Sequence, residues 1–256
     1  MVRLSDPQPS ALRPEPSSSP EPPVPIVYRI VALLEVVICS DILTQVAVGG
    51  TLTIFGLQPR IQGRLSVAYV VGLSLADSVL LIALILILLY AHGERPRKVL
   101  LGRRPIVGEA AAGLPMMLIA LAIAIAVLVG VRRFAPSLHT VEQNPLQDLL
   151  GSPRDAALFA FVVLVAGGIR EEIQRAFLLH RFEQSLGGGT TGVIVTSIAF
   201  GAGHWIQGVD AAIATGLLGA FWGVVYLRRR SCVAPMVSHA GFDLVQILQF
   251  VVTRSP

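Results

Sequence analysis

Apolar runs follow one another through most of this chain. A helix needs about 20 such residues to cross the hydrocarbon core of a bilayer. The runs are Val27–Leu57, broken by Glu35, Asp41 and Gly49-Gly50; Val67–Tyr90; Ala110–Val131; Ala156 through Gly168 into a charged stretch ending near Leu186; Thr190–His204; Ala211–Leu227; and Cys232–Val252. The first three and the last are long enough to span a membrane. The fifth and sixth are short and glycine-rich, as suits helices packed inside a bundle. Only 14% of the residues are charged, against about 25% in soluble domains. So little charge cannot cover a water-facing surface. The sequence is therefore not that of a soluble enzyme, a fibre, a disulfide scaffold or a disordered protein. The expected fold is all-α: a polytopic transmembrane helical bundle of about seven helices, or eight if the first run breaks at Gly49-Gly50.

Three regions divide the chain. Residues 1–25 hold eight of the 17 prolines and the run Ser17-Ser18-Ser19, a composition that cannot pack, so a disordered tail is expected there. Residues 26–155 are read as amino-terminal membrane helices. Residues 156–256 are read as helices that carry the chemistry-bearing motifs. Basic residues set the orientation, because they collect in cytoplasmic loops. Arg95, Arg97, Lys98, Arg103, Arg104, Arg181, Arg228, Arg229 and Arg230 fall on one side, with the tail. Arg60, Arg64, Arg132, Arg133, Arg154 and Arg254 fall on the other. The tail is expected in the cytoplasm. The net charge of +4 does not point to nucleic acid, since the basic residues sit in short loops. The two cysteines, Cys39 and Cys232, read as small buried apolar residues.

An ionisable group at membrane depth is costly unless paired or watered, which makes it a functional candidate. Glu35, Asp41 and Asp77 are single acids in the first two runs, and read as solvated helix ends or packing hydrogen bonds. The stretch Gly167-Gly168-Ile169-Arg170-Glu171-Glu172-Ile173-Gln174-Arg175 is denser in charge. On a helix Arg175 reaches Glu171 at i,i+4 and Glu172 at i,i+3. Adjacent glutamates lie about 100° apart around the axis, so one can face a cavity while the other is paired. Alone, the cluster could equally be a helix end emerging into water. His204 closes Phe200-Gly201-Ala202-Gly203-His204, and a single histidine there is an ordinary packing residue. His239 and Asp243 share a helix face at i,i+4, where the aspartate can fix the ring's tautomer. Two glutamates, an arginine, two histidines and an aspartate thus fall on three late segments. In one water-containing pocket they would form hydrolytic equipment.

This ordered set resembles the CPBP intramembrane proteases, which include the CaaX prenyl-protein endopeptidases and the bacteriocin-processing or "abortive infection" proteins. The resemblance covers roughly 156–252 and rests on Glu171-Glu172 with a nearby arginine, Phe200-x-x-x-His204 and His239-x-x-x-Asp243. One position departs from the family pattern: its arginine comes four residues after the second glutamate, and Arg175 comes three after. The resemblance implies peptide-bond hydrolysis in or at the membrane. It makes Glu171 the general base and His204 a holder of the attacking water. Glu172 and Arg175 orient or tune the base, and His239 donates to the oxyanion. Asp243 can donate only if protonated, since a carboxylate has no proton to give; otherwise it orients His239. The implied partners are a membrane-associated peptide or protein substrate and the lipid bilayer.

Zinc is the alternative cofactor, with Glu171, His204 and His239 as its ligands. A metal-free mechanism is favoured, because the set has two histidines, no thiolate and no His-Glu-x-x-His spacing. A non-catalytic membrane protein could also keep such a cluster for packing or partner binding. A proton-coupled transporter is disfavoured by the lack of an internal repeat. The arginine-rich, compact chain points to a prokaryotic inner membrane.

Overall fold

The computed structural model describes residues 24–254. The expected tail, 1–25, lies outside the described residues except for Val24 and Pro25. The described chain is helical almost throughout. The helices are α1 (Ile26–Ile38), α2 (Ile42–Ile54), α3 (Val67–Ala91), α4 (Pro96–Leu100), α5 (Ile106–Phe134), α6 (Pro153–Val162), α7 (Glu171–Ser185), α8 (Gly188–Gly203), α9 (Val209–Arg229) and α10 (Val233–Arg254). A π-helical segment, Val163–Arg170, joins α6 to α7 without a break. The only described strands, β1 (Arg60–Ile61) and β2 (Arg64–Leu65), form a hairpin. Its turn residues Gln62 and Gly63 have φ of 51° and 81°, the left-handed pair that a tight hairpin turn requires.

Among the described residues, four helices are long and apolar enough to cross a membrane: Val67–Ala91, Ile106–Phe134, Val209–Arg229 and Val233–Thr253. The outward faces of α3 and α5 leave Val79, Ile87, Leu118 and Ile125 exposed. Lipid accepts such a surface and water does not. The first apolar run departs from expectation. It breaks at Cys39–Asp41, and Gly49-Gly50 lie inside α2. Each half has 13 residues, or about 20 Å of helix, too short to span alone. The break forms where Asp41 adopts φ of 79°, a left-handed conformation that aspartate tolerates better than most residues.

Small residues let the later helices pack closely. A Cβ on Gly201 of α8 would lie 2.6 Å from the Ala212 carbonyl oxygen of α9. Both cysteines are free and buried, as expected.

Three of the basic residues expected on one side, Arg104, Arg229 and Arg230, pair with acids of α5 and α7. Arg229 holds Glu109 through two hydrogen bonds of 2.8 Å, and Arg230 pairs with Glu183. Arg181 is not a loop residue. It is 3% exposed and bonds Glu35 at 2.5 Å and Glu94 at 2.6 Å. Burial acts to raise the pKa of Glu94, in the turn after α3. Hydrogen bonds from His180, Arg181 and Gln184 nevertheless hold it below the ordinary glutamate range. Glu35 is likewise an ion-pair residue, not a solvated helix end.

Candidate active site

Three elements frame the motif residues: the rod running from α6 through the π segment into α7, the α8–α9 hairpin, and α10. The π segment carries Gly167 and Gly168, and these glycines let α10 approach. A Cβ on Gly168 would lie 2.7 Å from the Ala240 Cβ, and one on Gly167 would lie 2.6 Å from Asp243 Oδ2. Short π segments inside α-helices recur at functional sites, since the extra residue re-aims the side chains beyond it. Here it ends at Arg170, directly before the paired glutamates.

Glu171 and Glu172 point apart. Glu172 is 1% exposed and accepts from Arg175 one turn on. It also accepts from His239 Nδ1, at 2.8 Å. A carboxylate accepts only, so Nδ1 carries the proton and the ring orientation is fixed. His239 Nε2 then faces two further acids. Glu171 Oε2 and Asp243 Oδ2 each lie 3.8 Å from it. The arginine expectation is half corrected. Arg175 holds Glu172, and the partner of Glu171 is Arg170, whose Nη2 lies 3.4 Å from Glu171 Oε1.

Aromatic side chains close the ring of contacts. Trp222 of α9 stacks on His239 with centroids 3.8 Å apart and planes 18° apart. Its Nε1–H donates to Ser238 Oγ at 3.1 Å. Ser238 is therefore committed to Trp222 and forms no catalytic pair with His239. The Arg175 guanidinium lies 4.7 Å above the Phe200 ring, a cation–π contact that strengthens when water is excluded. Neither role was legible beforehand. Phe200 was only a motif position, and Trp222 was not singled out. The cue was a tryptophan between Gly219 and Gly223 on a glycine-rich helix.

His204 joins the cluster less directly. It caps α8, and its Nδ1–H donates to the Phe200 carbonyl at 2.8 Å. Nε2 is then the lone-pair nitrogen of the neutral ring. The Phe200 ring separates the two histidines, with centroids 4.8 Å from His204 and 6.2 Å from His239. Among the described residues no three His, Cys, Asp or Glu side chains are placed to hold a metal ion.

Residues 153–245 match the family model described as type II CAAX prenyl endopeptidase Rce1-like. This segment is similar to that family. The Rce1-like segment contains all six motif residues and both framing aromatics. It leaves out α1 to α5. No curated protein and no solved structure matches the chain.

Proposed function

We propose that the protein is an intramembrane endopeptidase that hydrolyses peptide bonds of membrane-associated proteins or peptides with a glutamate-activated water. One observation carries the reading: Glu172 pins His239 so that Nε2 faces both Glu171 and Asp243 at 3.8 Å. A water within hydrogen-bond reach of Glu171 Oε2 lies beside that nitrogen. Glu171 takes its proton as the oxygen attacks the scissile carbonyl. The carbonyl oxygen becomes an oxyanion and accepts a hydrogen bond from His239 Nε2–H. A ring that donates from both nitrogens is an imidazolium, and once Glu171 has taken the proton the Glu172 and Asp243 carboxylates supply the opposing charge. The proton on Glu171 passes to the leaving amine, the C–N bond breaks, and carboxylate and amine products depart. His204 Nε2 helps hold the water, and Asp243 orients His239. Arg175 and Glu172 hold the ring.

The donor set, with two histidines and no thiolate, supports the metal-free form of this mechanism. Similarity to a type II CAAX prenyl endopeptidase family makes a prenylated CaaX peptide the first substrate class to test. The basic residues expected on one side support a cytoplasmic amino terminus. The arginine bias of the sequence supports a prokaryotic inner membrane, and its apolar runs support about seven membrane helices.

The test is cleavage by the purified full chain in detergent. Prenylated CaaX peptides and unmodified transmembrane peptides are offered, and products are identified by mass. Defined cleavage products are expected from wild type, with strong loss in His204→Ala. An absence of cleavage by a folded protein across the panel would sink the proposal.

A further inference from the structure

The matched segment begins at 153, yet the proposed base touches a charge cluster built largely from the amino-terminal half. Arg170, the last residue of the π segment, is 6% exposed. Its guanidinium meets acids from three elements. Nη1 donates to Asp41 Oδ2 at 2.6 Å, Nε lies 3.9 Å from Asp77 Oδ2, and Nη2 lies 3.4 Å from Glu171 Oε1. Asp41 sits at the break between α1 and α2, and Asp77 is 1% exposed near the middle of α3. A second strap ties the same break to α7: Gln174 Nε2 donates to the Cys39 carbonyl at 2.7 Å.

A buried aspartate on α3 and a part-exposed one at the α1–α2 break are a poor packing device, because charge at membrane depth is expensive. Among the described residues the cation placed against Asp77 is Arg170, with Nε 3.9 Å from Oδ2. What the two aspartates do provide is a fixed anchor for one guanidinium. A planar fork held from one side presents its remaining edge in a set direction. That edge faces Glu171.

We propose that Arg170 is the positioning residue of the Glu171 carboxylate and that Asp41 and Asp77 hold Arg170 in place, so that α1 to α3 form part of the catalytic apparatus. This inference rests on the assignment of Glu171 as the base. A carboxylate that must sit against one water and one carbonyl is sensitive to displacement, and a shift of about 1 Å can cost a hundredfold in rate. Arg170 touches no reacting atom in this account and acts only through Glu171.

The experiment measures kcat and KM separately in the peptide assay, with melting temperature in detergent as a fold check. Arg170→Gln is expected to lower kcat about a hundredfold with KM within about twofold. Arg170→Lys keeps the charge and loses the fork, so it should recover part of that loss. Asp41→Asn should lower kcat about tenfold. The double variant should be no slower than Arg170→Gln alone, because both changes remove one interaction. Wild-type kcat in a folded Arg170→Gln protein would overturn the inference. So would costs that multiply in the double variant. If Arg170→Gln does not fold, Asp41→Asn decides: unchanged kcat overturns the clamp, and a kcat-only loss upholds it. Glu171→Gln run in parallel separates the two readings. If it is inactive while Arg170→Gln is fully active, only the clamp falls. If it cleaves like wild type, the base assignment falls first and the clamp with it.

Discussion

Glu171→Gln should remove most of the peptide-cleaving activity while leaving the protein folded. Glutamine matches glutamate in shape but cannot accept the water's proton, and a positioned general base is worth roughly a hundred- to ten-thousandfold. The fold should tolerate the change. Glu171 is the less buried of the paired glutamates, with a side chain 15% exposed against 1% for Glu172. Of its two cationic neighbours, Arg170 keeps Asp41 and Asp77, and His239 keeps Glu172 and Asp243. The loss should therefore appear in kcat, with little change in melting temperature. Unchanged turnover would remove Glu171 from the mechanism.

Glu172→Gln should behave differently, costing activity and stability together. Glu172 stands between two positive or proton-donating partners, Arg175 and the His239 ring. Removing its charge leaves Arg175 buried among Phe200 and Trp222 without a counter-ion. Breaking a buried pair from one side costs about 3–5 kcal/mol. It also frees His239 from its fixed tautomer, so the oxyanion donor is lost even in molecules that stay folded. A large fall in melting temperature with a large fall in kcat is expected. A variant as stable as wild type would show that the Glu172–Arg175 pair does not hold the site.

The contrast between these two glutamates was legible in the sequence, because adjacent helical residues must point apart. The arginine partner was not. Arg175 lies within reach of both carboxylates along the helix, and only the packing of α10 decides the choice, by placing His239 against Glu172. The membrane character was written in the apolar runs, and the structure adds detail that composition cannot. Gly49-Gly50 reads as a break because glycine costs a helix about 1 kcal/mol relative to alanine. In lipid a non-helical backbone leaves groups without partners, which costs several kcal/mol, so glycine alone does not end the helix. The break falls at Asp41, where Arg170 supplies a charge partner 129 residues away. That separation explains why Asp41 and Asp77 read as ordinary packing acids, and why Arg170 was passed over beside the glutamates. Trp222 was hidden for the same reason. Stacking on His239 joins two helices that a linear pattern does not connect.

Under the proposed mechanism a glutamate, and not a metal, activates the water. The most direct measurement is turnover of a cleaved peptide by wild-type protein stripped with a strong chelator and assayed with and without added zinc. The account predicts full activity after stripping and no gain from zinc. Activity lost on chelation and restored by zinc would contradict it.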